Sequence, residues 1–280
     1  MSLRSVFQLK VINKRKEQGD VQGLIKIVKE SAERDDLVFH KALSALCEIC
    51  DESAETTLIE TLAFVSNQHE EHWILRKNIY ECLGQSASPN AVEVLIIGLR
   101  DEFYEVRETA LKSLALTRNP HAVQPIIDVL TKVRLETKKD VLESLKYFDK
   151  DALFEPCRGA INCNGLRSDM VELMGYIGDD RALDVLIACL SDKTYYARRD
   201  VAIVLRKFKE KRTVEALITV MTDDDFFLRL YCVSSLGKIA DPMAKEALWG
   251  ATKDTDSYVR EAAYMGLVAI ESAEASDSGD

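Results

Sequence analysis

Cysteine and histidine are the residues in this chain whose types could do chemistry, seven of the first and four of the second. Cys47 and Cys50 stand as Cys-x-x-Cys, a spacing that serves zinc binding and thiol exchange. No second pair completes four ligands, because Cys157 and Cys163 are five residues apart, and Cys47 and Cys50 fall on a predicted helix; buried thiols are the expectation. His69 and His72 lie in the run Asn67-Gln68-His69-Glu70-Glu71-His72-Trp73, two imidazoles with carboxylates beside them that could hold a metal. Only His40 and His121 remain to complete such a site, and neither shares their place in the repeat that organises the chain, so no metal is assigned. Arg206, Lys207, Lys209, Lys211 and Arg212 form a basic cluster, which at the end of a helix complements the helix dipole. There is no glycine-rich phosphate loop and no serine or cysteine placed with a histidine as a nucleophile pair. No catalytic residue and no cofactor is assigned.

The elements that position these residues follow from composition. Hydrophobic residues make up 47% of 280, with only 12 Gly and 5 Pro, which favours helix over sheet and leaves little material for long loops. A net charge of -10 argues against a general nucleic-acid binder, since phosphate affinity rests on clustered Lys and Arg; a protein or basic peptide fits better. No apolar run reaches the roughly 18 residues of a membrane span, and the first residues lack the apolar core of a secretion signal. The odd, scattered cysteines suit a reducing compartment, so the expected localisation is cytoplasmic.

A repeat organises the whole. The pairs Leu75-Arg76, Val106-Arg107, Thr137-Lys138, Leu166-Arg167, Ala197-Arg198, Leu228-Arg229 and Val259-Arg260 recur at steps of 31, 31, 29, 31, 31 and 31 residues. Seven residues after each basic position stands a large apolar residue (Leu83, Leu114, Leu145, Met174, Leu205, Leu236, Leu267), with smaller apolar positions between, as in Ala110-Leu111 and Cys232-Val233. Spacings of three, four and seven put these on one helix face. A second stripe follows (Ala91-Val92, Leu95; Ala182-Leu183, Leu186; Thr213-Val214, Leu217), introduced by the start signals Ser88-Pro89, Asn119-Pro120 and Asp241-Pro242, and by Asp179 without a proline. The expected fold is therefore all-α: an α-solenoid, a superhelical stack of about eight helical hairpins over residues 1–270. Residues 1–33 form an N-terminal capping pair with a basic outer face (Lys10, Lys14, Arg15, Lys16), 258–270 a closing helix, and 271–280 a disordered acidic tail. About six residues are inserted around 66–72.

The string Leu99-Arg100-Asp101 through Glu105-Val106-Arg107-Glu108-Thr109-Ala110-Leu111, then Asn119-Pro120-His121-Ala122-Val123-Gln124-Pro125-Ile126, resembles the short HEAT-like repeat of the phycobilisome lyases. Similar strings run from Thr222-Asp223 to Pro242 and from Asp254 to Gly266. The resemblance implies a HEAT-like, armadillo-like solenoid. It also implies an alternative function, a bilin lyase-like subunit whose groove holds a tetrapyrrole. The hydroxylase members of the family use paired His-Glu motifs in several repeats; here only His69-Glu70 has that form.

Three surface columns remain. In four frames the basic residue is preceded six residues earlier by an aspartate, Asp101, Asp192, Asp223 or Asp254, and the periodicity marks an Arg–Asp ladder that ties inter-repeat turns to the next helix. Glu93, Gln124, Glu155, Asp184, Glu215 and Glu246 begin the second helices, which in the family line the concave face; Glu155, Asp184, Glu215 and Glu246 are expected to make it a negative groove. Aromatic residues gather ahead of the first helices, from Trp73, Phe103 and Tyr104 to Tyr195, Tyr196, Phe226, Phe227 and Tyr258. Sealing the preceding repeat explains some of them, but the last five beside Arg198, Arg199, Arg229 and Arg260 have the composition of a binding hot spot. The function expected from the sequence is a non-catalytic protein-interaction scaffold, with that aromatic edge and the acidic face as its binding surfaces.

Overall fold

A computed structural model describes residues 3–31, 37–65, 72–132, 138–163 and 165–277. Among the described residues every regular element is helical, with seventeen α-helices joined by turns and short 3-10 segments. The chain divides into two compact units, Met1–Ala152 and Leu153–Asp280. The first contains α1 (Leu3–Glu17), α2 (Val21–Ser31), α3 (Leu37–Ile49), α4 (Glu55–Val65), α5 (Trp73–Leu83), α6 (Pro89–Gly98), α7 (Tyr104–Thr117), α8 (Val123–Lys132) and α9 (Lys138–Leu145). Helix α10 (Lys150–Ala160) begins at the boundary. The second continues with α11 (Arg167–Ile177), α12 (Asp180–Ser191), α13 (Arg198–Leu205), α14 (Lys211–Thr219), α15 (Phe226–Ile239), α16 (Lys245–Ala251) and α17 (Ser257–Asp277). In chain order these are eight hairpins and a closing helix, as the 31-residue period predicts.

Helix starts are where local chemistry demands them. Ser88 accepts a hydrogen bond from the Ala91 amide and is followed by Pro89, and Asp179 accepts one from Ala182. Asn119 and Asp241 cap in the same way, but Pro120 and Pro242 open a 3-10 turn before α8 and α16 begin at Val123 and Lys245. The two apolar stripes of the repeat are the core. Val106, Ala110, Leu111 and Leu114 on first helix α7 are fully buried, as are Ala182, Leu183, Leu186 and Leu190 on second helix α12. Within each unit, first helices pack on first helices (α5 on α7, α13 on α15, α15 on α17), and second helices pack on the first helix of the following hairpin (α6 on α7, α16 on α17). Each hairpin thus covers the stripe that its neighbour cannot cover alone.

One expectation changes here. Helix α17 runs on to Asp277 through most of the segment expected to be a disordered tail, because Ala273, Glu274 and Ala275 continue a good helix-forming sequence and Glu274 is tied to Lys245 at 2.5 Å. The insertion at 66–71, with His69 and Glu70, lies outside the described residues. His72 is described: it is buried ahead of α5, with its ring edge-on to His40 at 5.6 Å between centroids, a pairing the repeat position did not suggest.

Helices α15 and α17 approach closely enough that glycine is required at their crossing. A Cβ on Gly237 would lie 2.8 Å from the Gly266 Cα, a backbone atom that cannot swing aside, whereas a Cβ on Gly250 of α16 would meet nothing within 4 Å. Glycine ordinarily weakens a helix relative to alanine by about 0.8–1 kcal/mol, so the two sites have opposite signs. Gly250→Ala is expected to raise the thermal midpoint, by at most about 1 kcal/mol of stability, and Gly237→Ala to lower it, by about 1–3 kcal/mol through overpacking. Thermal unfolding followed by circular dichroism checks both.

Candidate functional site

The arginine of the repeat works inward. Arg76 is buried, and its guanidinium makes two parallel bonds to Asp101, Nε at 2.7 Å and Nη2 at 3.0 Å. Arg229 holds Asp254 in the same fork at 2.8 and 2.9 Å, and Arg198 reaches Asp223 at 2.8 Å. Every one of these aspartates lies 25 residues ahead of its arginine. The aspartate six residues before an arginine is engaged through its backbone instead: Arg107 Nη1 donates to the Asp101 and Glu102 carbonyls, Arg229 to those of Asp223 and Asp224, and Arg260 to those of Asp254 and Thr255. The ladder is therefore structural, and at Arg76, Arg198 and Arg229 it links a repeat to the one after it. Asp192 departs from the pattern, its carboxylate accepting from Thr194 while Arg198 turns to the Leu190 carbonyl.

Thiol chemistry is suppressed by packing. Cys47, Cys82, Cys157 and Cys232 are buried, and all seven cysteines are free. Burial pushes the Cys47, Cys157 and Cys232 thiols up to about 12, which removes the thiolate that would act as nucleophile or ligand. Cys50 ends α3 in a left-handed conformation, with its thiol on the Cys47 carbonyl at 2.6 Å. Among the described residues no three His, Cys, Asp or Glu side chains converge as a metal site.

What remains for recognition is on the surface. The aromatic edge divides by position. Tyr195 was expected to belong to it and does not: it is 6% exposed, and its hydroxyl donates to the Ile161 carbonyl at 2.9 Å, so it seals the preceding turn. Its neighbour Tyr196 is 88% exposed, with Arg167 over its ring at 5.9 Å. Phe227 is 39% exposed; Arg199 lies over its ring at 4.7 Å and is held there by Asp225 at 2.6 Å, while half-buried Phe226 packs beside it at 4.0 Å. Tyr258 is 66% exposed. Tyr196, Phe227 and Tyr258 each stand two residues before the frame arginine, one per repeat at the entry to α13, α15 and α17. In the first unit, Trp73 and Phe103 instead stack on each other at 6.2 Å.

The acidic column lies on exposed faces of second helices, but much of its charge is answered. Asp184 pairs with Arg212 at 2.7 Å, Glu215 with Lys211 at 3.5 Å and Glu155 with Arg158 at 2.6 Å. Glu246 has no ion pair among the described residues. Beside it on α16 stands Trp249, 57% exposed, which the sequence pattern did not single out because it sits outside both apolar stripes. An open cleft between α14 and α16 is lined by Ile218, Met221, Ala247, Gly250, Lys253 and Asp254.

A family model described as HEAT repeats matches residues 66–146 and 163–229, together more than half of the chain. No curated protein sequence matches it. Among solved structures, importin beta is similar over 96% of this chain and 44% of its own, at 14% identity and a TM-score of 0.52. Human deoxyhypusine hydroxylase is similar over 93% and 98%, at 18% identity and TM-score 0.38, and the CpcE–CpcF phycocyanin lyase complex from Nostoc sp. over 90% and 94%, at 21% identity and TM-score 0.35. The likeness to importin beta shows the fold. No helix among the described residues is long and apolar enough to cross a membrane.

The Arg229–Asp254 pair generates a pH prediction. The Arg229 hydrogen bonds hold the Asp254 carboxyl below its ordinary value. A lowered folded-state value means that the stabilisation is fully present above the unfolded value of about 3.9 and is lost as pH falls through the folded one. Asp254→Asn leaves a largely buried guanidinium without its counter-charge and is expected to cost about 3 kcal/mol at pH 7. Urea unfolding from pH 7 down to pH 3 should show the gap between wild type and variant narrowing below about pH 4.

Proposed function

Because this chain belongs to the HEAT-repeat family, we propose that it is a non-catalytic scaffold that binds a protein or peptide segment along the row Tyr196, Phe227 and Tyr258. The observation that carries this reading is the placing of three solvent-facing aromatic rings at one repeat position in three successive repeats, two of them carrying a guanidinium. A structural role would recur in every repeat, yet the same position is Ile74, Glu105 and Gly165 elsewhere. Large apolar rings in water are disfavoured unless a partner covers them, and aromatic anchors dominate the energetics of interfaces.

The row has a natural ruler. Neighbouring packed helices lie about 8–10 Å apart, and a chain in the extended polyproline II conformation advances about 3.1 Å per residue with about three residues per turn, so every third side chain of such a segment returns to one face and can meet successive rings. The second-helix face, with Glu246 and Trp249 on α16 and the carboxylates of Asp184, Glu215 and Glu155 partly answered by basic neighbours, favours a segment carrying positive charge. Seven free thiols fit a reducing, cytoplasmic setting.

The test is selection from a displayed library of extended peptides of about twelve residues, long enough to span three rings at the spacing above, followed by fluorescence anisotropy. Selected peptides are expected to carry apolar or aromatic residues about three apart and some Lys or Arg. The variant Tyr196→Ala/Phe227→Ala/Tyr258→Ala is expected to bind them at least about 30-fold more weakly, or about 2 kcal/mol. Equal affinity of the variant would overturn the assignment.

A further inference from the structure

The outward faces of the first and last helices complement each other. On α17 the residues Tyr264, Met265 and Val268 are each more than half exposed and share one face, with exposed Glu261 and Glu271 at its ends. Their counterparts 31 residues earlier show what that face is built to meet. Val233, matching Tyr264, is fully buried on α15, and Gly237, matching Val268, lies against Gly266 of the following first helix. The face of α17 thus occupies the position at which a first helix receives its successor.

Helix α1 offers a matching face. Phe7 is 68% exposed, and with exposed Lys10 and Lys14 it forms a stripe at spacings of three and four. Lys10 and Lys14 have no ion pair among the described residues, and neither have Glu261 and Glu271. The basic residues in the last turn of α1 beyond Lys14 are engaged internally, Arg15 with Asp20 and Lys16 with Glu48. An apolar centre bordered by lysines is therefore exposed on α1, and an apolar centre bordered by glutamates on α17.

We propose that the chain self-associates head to tail, with α17 of one copy receiving α1 of a second. The pairing buries Phe7 against Tyr264, Met265 and Val268 and sets Lys10 and Lys14 near Glu261 and Glu271. A contact between two different faces is heterologous, so it leaves one of each face open and can propagate.

Analytical ultracentrifugation of the full chain tests this. The weight-average mass is expected to rise with concentration from 31.5 kDa towards twofold and beyond, and less steeply at high salt. A head-blocked variant, Lys10→Glu/Lys14→Glu, and a tail-blocked variant, Met265→Glu/Val268→Glu, are each expected to stay monomeric alone while keeping the wild-type circular dichroism. Mixed, they retain one intact head and one intact tail and are expected to form a 1:1 dimer that grows no further. The charge exchange Glu261→Lys/Glu271→Lys should lose self-association and regain it with the head-blocked variant. Tyr196→Ala/Phe227→Ala should associate like wild type, which separates this inference from the peptide-binding reading. A wild type that remains at 31.5 kDa up to about 0.5 mM, or a head-blocked variant that still self-associates, overturns the proposal.

Discussion

A helical hairpin with an apolar stripe on each of its helices cannot hide both from water by folding on itself, and the rest of this protein follows from that. Burying a Leu or Val side chain contributes about 1.5–3 kcal/mol, and the repeats here carry several that are fully buried, among them Val201 and Leu205 on α13. Those residues are dry only because a neighbouring hairpin lies over them. The crossing of Gly237 and Gly266 shows how close the neighbours come. Stability is therefore shared between adjacent repeats, and a disturbed hairpin weakens those beside it.

Close stacking also decides where charge can sit. Arg229 enters a nearly dry space between repeats, where an unpaired guanidinium would be costly, and it is met by a carboxylate from the following repeat and by carbonyls of its own turn. The forked geometry makes this a register device as well as a source of stability, since an Arg–Asp pair 25 residues apart forms only when hairpins stack in step. The same dryness holds Cys47, Cys157 and Cys232 as thiols. The interior is thus occupied by structure, and recognition is left to the surface.

On that surface the informative residues break the repeat. A position with the same chemistry in every frame reports on stacking, as the arginine column does. Tyr196, Phe227 and Tyr258 share a position filled by unlike residues elsewhere, and Tyr264 and Val268 expose positions that in the repeat before them are packed against α17. The surviving charge tells the same story: Arg212 answers Asp184 and Asp180, so the acidic column is weaker than its composition suggests. Glu246 with Trp249 stands out from it.

The amino-acid sequence alone determined the helices, their caps, the period and the identity of most core residues. These follow from the geometry of a single helix, in which side chains three and four apart share a face and Ser, Asn or Asp satisfies the first free amides. Tertiary structure decided what each residue meets. Tyr195 and Tyr196 are neighbours of one type at the same turn, yet one donates to the Ile161 carbonyl 34 residues away and the other faces water. The choice between the aspartate six residues before an arginine and the one 25 residues after it likewise depends on where the next repeat arrives. Periodicity is a property of bonded geometry and can be read along one segment. Exposure and pairing depend on atoms that other segments bring into the same space, and only the packed structure places those.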